Sequence, residues 1–215
     1  MLAPPVIRGG RAVRATSLVF GLFLFALGIV MLLESELGLS PWDVLSQGLA
    51  EQTPLTFGTA SIVIGLAVLV LAWRLGARIG AGTVANAVLI GLFIEGLVRV
   101  EALADLSESS LATRVALMLG GILVIGLGSG FYIGAAMEAG PRDSLMLVLS
   151  RRTGVRIGAA RTVLEIGATA AGWALGGTVG IGTLAFAFLV GPSVELAFLG
   201  LVRSRLTTAE VPSPA

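Results

Sequence analysis

The chain has no cysteine and no histidine, and all fourteen of its basic residues are arginines. A protein without these two residue types forms no disulfide, no thiolate nucleophile and no Ser-His-Asp triad, and it lacks the commonest metal ligands. A transition-metal site would have to consist of carboxylates alone. We therefore expect no catalytic residues, no metal site and no cofactor, and we predict that the chain is not an enzyme.

Charged residues are also scarce. They make up 13% of the 215 residues, whereas hydrophobic residues make up 56%, and the mean hydropathy is +0.99. A water-soluble domain is rarely so apolar, so the composition predicts a protein whose main surroundings are the lipid bilayer. The arginines are scattered between apolar stretches rather than clustered with aromatic residues, which argues against a nucleic-acid partner.

Six apolar runs have about the length, roughly 17 to 25 residues, of a helix that crosses the hydrocarbon core of a bilayer. They lie at 17–33, 58–73, 82–98, 115–137, 157–175 and 182–202. No small-x-small cleavage site follows the first run, so we expect a membrane helix there rather than a secretory signal. The sequence thus predicts an all-α membrane protein with six transmembrane helices.

Arginine residues near the ends of membrane spans are typical of the cytoplasmic side. They precede the first apolar run and follow the last one, at Arg8, Arg11, Arg14, Arg203 and Arg205. The loop at 34–51 holds four acidic residues and no basic one. This pattern predicts that both termini are cytoplasmic and that the first loop lies outside.

The second half of the sequence repeats the first at an offset of one hundred residues, without a gap between 14 and 95. We call two residues one hundred positions apart repeat mates. The matches include rare and polar residues as well as glycines, among them Pro41 and Pro141, Asp43 and Asp143, Trp73 and Trp173, Thr83 and Thr183, and Glu95 and Glu195.

Each half contains three predicted spans, so the second half must enter the membrane from the opposite side. The loop charges agree, since 34–51 is acidic whereas the corresponding loop at 138–156 is basic. We predict a 3+3 inverted-topology repeat. Its parts are a cytoplasmic tail (1–13), repeat one (14–100), a linker (101–113), repeat two (114–202) and a second cytoplasmic tail (203–215).

A short and more polar segment follows the first span of each half, at 41–50 and 141–150. Ser40 or Gly140, then a proline, then an aspartate in the first turn, is a pattern that favours the start of a helix. Such a helix either lies at the membrane surface or is re-entrant, with its positive N-terminus directed at a central site. The sequence leaves that choice open.

We predict a substrate site at the repeat interface, where the two short helices would meet. The candidate substrate-binding residues are Ser40, Trp42, Asp43, Arg142, Asp143, Asn86, Thr83 and Thr183. Because Trp42 has Arg142 as its repeat mate, this site would be asymmetric, with a stacking surface on one side and a cation on the other. Helix packing is the alternative role for Asn86 and for the Gly-x-Gly-Thr elements at 80–83 and 180–183.

Acidic residues within membrane spans are functional candidates because a charge is costly in hydrocarbon. Glu95, Glu195 and Glu165 are the candidates for proton or ion coupling. Two of them also have a structural alternative, since Glu95 can pair with Arg99, and Glu165 with Arg161, at a spacing of one helical turn.

The segment 38–45, GLSPWDVL, together with Gly76, the Gly-x-Gly-Thr element at 80–83 and Asn86, resembles the pattern of the YczE/YyaS/YitT family of small bacterial membrane proteins. The resemblance covers nearly the whole chain except its tails. It implies a multi-pass protein of the bacterial cytoplasmic (inner) membrane, and it implies no substrate because the family has no assigned role.

From this architecture we expect a secondary transporter or exporter of a small organic molecule, whose partners are that molecule and the lipid bilayer. A homodimer is compatible with the sequence. Two alternatives stay open: a passive channel, and a substrate-capture or partner-modulating membrane subunit without independent transport. The chain has no lysine to grip a phosphate, which excludes ATP-driven transport by this chain alone.

Overall fold

The computed structural model describes residues 5–100, 106–204 and 206–208. These residues form eight helices: α1 Arg11–Ser35, α2 Pro41–Gln52, α3 Phe57–Arg74, α4 Ala81–Leu97, α5 Leu111–Gly134, α6 Pro141–Thr153, α7 Ile157–Ala174 and α8 Ile181–Arg203. Two short strands, β1 Val6–Ile7 and β2 Thr207–Thr208, form a ribbon. Residues 101–105 of the predicted linker, Arg205 and the ends of both predicted tails lie outside the described residues.

Each predicted apolar run falls on one helix, which makes this a helical membrane protein as expected, although α5 ends at Gly134 rather than at 137. Four helices, α1, α3, α5 and α8, are long and apolar enough to cross a membrane. Helix α4 is apolar but has only 17 residues, and α7 carries Arg161 and Glu165. Six spans in a 3+3 repeat therefore stay a prediction.

The helix ends follow local sequence signals. Thr56 and Ser110 cap α3 and α5, and each hydroxyl accepts the backbone N–H three residues later, at 3.2 and 3.3 Å. Pro41 and Pro141 occupy the first position of α2 and α6, where the missing N–H costs nothing. Helix α6 stops at Gly154, whose φ of +73° suits glycine.

Helices α1 and α5 run antiparallel at the centre of the protein and cross with their backbones in contact. Gly21 lies against Gly128, and Gly28 lies against Gly121. A Cβ atom at any of the four positions would lie 2.6 to 2.8 Å from the facing carbonyl oxygen. The two contacts interchange when every residue is replaced by its repeat mate, so the crossing is two-fold symmetric in sequence.

The short helices each pack on a long helix of the other half, α2 on α7 and α6 on α3. The Gln52 amide donates to the Leu175 carbonyl at 2.9 Å, and the Arg152 guanidinium donates to the Leu75 carbonyl at 2.7 Å. Gln52 and Arg152 are repeat mates, as are the two leucines. The two halves therefore contact each other through equivalent hydrogen bonds.

The turn that precedes each short helix has the same unusual backbone in both halves. Glu36 and Ala136 have φ values of +52° and +51°, and their neighbours Gly38 and Glu138 have values of +117° and +78°. A non-glycine residue in this region costs roughly 1 to 3 kcal/mol and persists only where surrounding contacts hold it. The chain thus reverses in the same way after α1 and after α5.

The two halves differ in their outer helices. In the first half α3 packs on α4, and a Cβ atom at Gly58 would lie 2.6 Å from the Gly91 carbonyl oxygen. In the second half a Cβ atom at Gly158 or Gly191 would meet no atom within 4 Å. Helices α7 and α8 are therefore apart where α3 and α4 touch.

The ribbon joins the two ends of the described chain. Its antiparallel register pairs Val6 with Thr208 and Ile7 with Thr207. The Arg8 N–H donates to the Leu206 carbonyl at 2.9 Å, and β1 packs beside the end of α5 at Gly134. The N-terminal and C-terminal segments consequently lie side by side at one end of the helices.

Candidate functional site

The N-termini of α2 and α6 meet through side chains that the sequence singled out. Arg142 lies 3.6 Å from the Asp43 carboxylate, and its guanidinium carbon lies 5.5 Å from the centre of the Trp42 ring. The predicted stacking surface and the predicted cation therefore contact each other. We call the group formed by Ser40, Trp42, Asp43, Tyr132, Arg142 and Asp143 the half-helix junction.

Asp43 is the most deeply buried charged group of the junction, with 1% of its surface exposed. Its Oδ2 atom accepts a hydrogen bond from the Ser40 hydroxyl. Ser40 occupies the N-cap position of α2 as predicted, but its hydroxyl binds Asp43 instead of a backbone N–H. The Asp43 Oδ1 atom makes no hydrogen bond with the described residues, and Arg142 is its ion-pair partner.

Asp143, the repeat mate of Asp43, accepts a hydrogen bond from the Tyr132 hydroxyl on α5, at 3.1 Å. Tyr132 is buried, and the sequence prediction did not include it. It is the only tyrosine in the chain, and a phenol hydroxyl inside an apolar run usually needs a polar partner. That was the signal that could have identified it.

A small apolar core holds the junction in place. Leu145 and Val148 of α6 are buried against Ile64 and Val68 of α3, and Trp42 packs on the same core. Trp42 is thus fixed on one side by aliphatic side chains while Arg142 covers its ring. Both short helices therefore pack on the same apolar core next to the junction.

The two Gly-x-Gly-Thr elements position the segments that lead into the short helices. The Thr83 hydroxyl donates to the Ala139 carbonyl at 2.9 Å, and the Gly182 N–H donates to the Leu37 carbonyl at 2.7 Å. The hydroxyls of Thr83 and Thr183 also accept the N–H of the N-cap glycine of their own helix. Both threonines are buried, so in this structure their polar atoms serve the fold rather than an open site.

Asn86 lies directly over the start of α6. A Cβ atom at Gly140 would be 3.2 to 3.3 Å from the amide atoms of Asn86. This amide makes no hydrogen bond within the part of the chain that the structure describes. The structure thus brings Asn86 next to the half-helix junction with its donors and acceptor free.

The candidate coupling residues lie on the outer helices instead. Glu95 accepts from the Thr56 hydroxyl at 2.5 Å and pairs with Arg99 at 2.7 Å, which is the ion pair that its spacing predicts. Its repeat mate Glu195 is exposed on α8 and has no hydrogen-bond or ion-pair partner among the described residues.

One face of α7 is polar. It is the face whose repeat mates on α3 pack against α4. Ile62 and Gly65 of α3 lie against α4, whereas their repeat mates on α7 are Thr162 and Glu165. Glu165 pairs with Arg161 at 2.8 Å, and their side chains are 28% and 54% exposed. We call the gap between this face and Glu195 on α8 the α7/α8 opening. Charges exposed at such a place require polar surroundings rather than hydrocarbon.

A cavity of about 420 Å³ lies at the C-terminal end of α1. Its wall includes Glu34, Glu36, Gly38 and Leu39. These last two directly precede Ser40, so the cavity reaches the segment that enters the half-helix junction. The cavity lies at the end of the molecule opposite to the ribbon, and its lining contains no residue of the half-helix junction.

Comparisons with known proteins agree with the resemblance seen in the sequence. Residues 12–198 match the family described as "Family of unknown function (DUF6198)". The chain is 38% identical over 186 residues to an "Uncharacterized protein" of Haemophilus influenzae. The aligned residues cover 86% of this chain and 83% of the relative.

Two relatives come from Bacillus subtilis. The "Uncharacterized membrane protein YczE" is 36% identical over 176 residues, covering 80% of this chain and 79% of the relative. The "Uncharacterized protein YyaS" is 30% identical over 196 residues, covering 83% and 92%. These two names confirm the predicted resemblance, and with the apolar helices they identify a bacterial membrane protein. No solved structure matches the chain.

Proposed function

Because the chain belongs to DUF6198, a membrane protein family of unknown function, we propose that it is a secondary transporter or exporter of a small organic molecule, with the half-helix junction as its site. The observation that carries this proposal is the asymmetry of the outer helices, since α3 rests on α4 while α7 stands away from α8. Two halves with one fold can each adopt the conformation of the other, and alternating access needs two such states.

The second state follows from the first by exchanging repeat mates. Thr56 now contacts Glu95, so in the other state Arg156 would approach Glu195. Those mates carry opposite charges and would form an ion pair that the present state lacks. Glu165 is the repeat mate of Gly65, and its larger side chain hinders close packing at that position. We therefore expect α7 and α8 to approach each other mainly near residues 156 and 195.

The sequence of α8 contains a hinge at the required place. Gly191 is followed by Pro192, whereas the matching position of α4 is Leu92. A proline inside a helix removes one backbone hydrogen bond and bends the helix. A bend at Pro192 would lie beside Gly191, where α8 would meet α7, and would allow movement at the α7/α8 opening.

The inverted repeat is part of the same proposal. It is supported by the antiparallel α1/α5 crossing, whose glycine contacts interchange under exchange of repeat mates, and by the opposite charges of the corresponding loops. The paired chain ends of the ribbon fit an even number of spans. With arginines at both ends, we place the termini in the cytoplasm and the protein in the inner membrane. The α7/α8 opening would then face the cytoplasm.

Membrane-impermeant labelling tests this topology. Glu51 and Arg151 are repeat mates at the ends of α2 and α6, and both are exposed. In this cysteine-free chain we expect Glu51→Cys to react with an impermeant maleimide on intact cells, and Arg151→Cys to react only after the membrane is permeabilised. Labelling of both variants from the same side would rule out the inverted arrangement.

Cross-linking of cysteine pairs tests the exchange of states. We expect Thr56→Cys/Glu95→Cys to cross-link rapidly with a short bifunctional thiol reagent in native membranes, because these side chains touch. We also expect Arg156→Cys/Glu195→Cys to cross-link, more slowly but to a high yield, because thermal motion samples the second state. A denaturing gel resolves the cross-linked chain from the free one by its mobility, after the polypeptide has been cleaved between the two cysteines.

The matched control pairs Arg156→Cys with Phe188→Cys, seven residues and about 10 Å farther along α8. This pair should react no faster than two cysteines that meet at random. If Arg156→Cys/Glu195→Cys reacts no faster than the control, the second half does not close. A passive channel or a substrate-capture subunit with a fixed shape would then explain the chain better than a transporter.

A further inference from the structure

Arg142 has donors that its present contacts do not use. Its side chain is 26% exposed, its ion pair with Asp43 spans 3.6 Å, and it covers the Trp42 ring. A guanidinium group has five N–H donors, and the 3.6 Å contact with Asp43 is the one polar contact of the Arg142 side chain among the described residues. The group is therefore placed and oriented, but it is not saturated.

Asp43 depends on this same guanidinium. Its carboxylate is buried, one oxygen is bound by Ser40, and the other makes no hydrogen bond to the described residues. A buried carboxylate without a compensating charge is costly, and it becomes neutral by taking up a proton if that charge leaves. The charge state of Asp43 is thus tied to the position of Arg142.

The surroundings of Arg142 suit a second anion. The first turns of α2 and α6, which are the positive ends of these helices, both contribute residues to the junction. The free amide of Asn86 lies at the start of α6. A planar guanidinium binds carboxylate or phosphate oxygens in pairs, with a geometry that the 3.6 Å contact to Asp43 does not achieve.

We propose that the molecule carried is a small organic oxyanion, which takes Arg142 away from Asp43, and that Asp43 binds one proton when this happens. This inference rests on the proposed transport function. The proton comes from water on the open side, so one anion and one proton enter the site together and its total charge does not change. Release of the anion returns Arg142 to Asp43 and frees the proton.

The other charges near Asp43 cannot replace Arg142. On α6, Asp143 is an acid and is bound by Tyr132. On α7, Arg161 is paired with Glu165. Helix α3, which also packs on α2, has no charged residue before Arg74 at its far end. Arg142 is therefore the one guanidinium, within the described part of these elements, that can compensate Asp43.

Thermal unfolding of the full chain in detergent, followed by tryptophan fluorescence, tests the inference without knowledge of the natural substrate. The probes are sodium acetate, benzoate, succinate, citrate and inorganic phosphate, each at several concentrations, with tetramethylammonium and tetraethylammonium chloride as cationic counterparts. We expect at least one oxyanion, and no ammonium ion, to raise the unfolding temperature. Its apparent affinity should increase about tenfold for each unit that the pH falls, because one proton binds with it.

Two variants locate the groups involved. In Asp43→Asn the affinity for the oxyanion should no longer depend on pH, because no proton is then needed. Arg142→Lys keeps a positive charge that allows folding but lacks the paired donors, so it should weaken binding by at least tenfold. An unchanged affinity in Arg142→Lys, or an unchanged pH dependence in Asp43→Asn, would overturn the inference.

Other results decide between this inference and the function on which it rests. Stabilisation by ammonium ions alone, by no probe, or by an oxyanion without pH dependence would each refute the proposed anion and proton. If Arg156→Cys/Glu195→Cys still cross-links in such a case, alternating access stands and only the substrate class is wrong. If oxyanions bind as expected but that pair does not cross-link, the site is correct and the chain captures rather than carries.

Discussion

Replacing Arg142 by glutamine is expected to lower the free energy of unfolding by about 3 kcal/mol, because removing one partner of a buried ion pair leaves the other charge uncompensated. Asp43 would retain the Ser40 hydroxyl as its only hydrogen-bond donor among the described residues. The loss should become smaller as the pH falls, since a protonated carboxyl group costs less to bury. The chain has three tryptophans and no cysteine, so intrinsic fluorescence is the suitable measurement rather than a thiol-reactive dye.

The control for this prediction is removal of the other charge of the ion pair, that of Asp43. Asp43→Asn leaves Arg142 with 26% of its side chain exposed, so water can compensate the guanidinium and the loss should be only about 1 kcal/mol. The double variant Asp43→Asn/Arg142→Gln should be more stable than Arg142→Gln alone, because no charge is then left buried. Additive effects of the two changes would mean that the pair is not coupled.

The helices were largely predictable because the signals that define them are local. Proline at the first position of α2 and α6, and an apolar run for each long helix, depend only on neighbouring residues. The repeat offset also carried long-range information. It matched Gly21 with Gly121 and Gly28 with Gly128. All four lie at the α1/α5 crossing, where Gly21 contacts Gly128 and Gly28 contacts Gly121.

The chemistry of the half-helix junction was predictable only in part. Comparison of repeat mates identified Trp42 and Arg142 as an asymmetric pair, but not the fact that the cation covers the ring. The ion pair with Asp43 joins residues that are ninety-nine positions apart, and no local pattern fixes such a distance. The Ser40 hydroxyl could either accept a backbone N–H of α2 or donate to the Asp43 carboxylate. It donates to Asp43, which is buried.

The α7/α8 opening has a trace in the sequence that only the coordinates make interpretable. Glu165 stands where the first half has Gly65, and Thr162 stands where it has Ile62. These changes remove the small and apolar residues that close packing of two helices requires. They were ambiguous without coordinates, because Arg161 and Glu165 can neutralise each other on one helix wherever that helix faces.

Replacing Gly82 by alanine is expected to prevent folding or to cost about 3 kcal/mol, because the new Cβ atom would lie 1.7 Å from the carbonyl oxygen of Met137. The obstacle is backbone and not the end of a flexible side chain. Met137 lies between Ala136 and Glu138, both of which have positive φ, so this segment has little freedom to move aside. The amount of folded protein after detergent extraction, measured by gel filtration, reports the effect.

Gly96→Ala is the matched control, because Gly96 is on the same helix and an added Cβ atom there would meet nothing within 4 Å. Alanine should stabilise α4 at that position by up to about 1 kcal/mol. Any Gly82→Ala protein that folds should have shifted the segment 137–140, and with it Arg142 at the start of α6. We therefore expect it to lose oxyanion binding even at a temperature where it remains folded. Equal stability of the two variants would contradict the close packing of α4 on Met137.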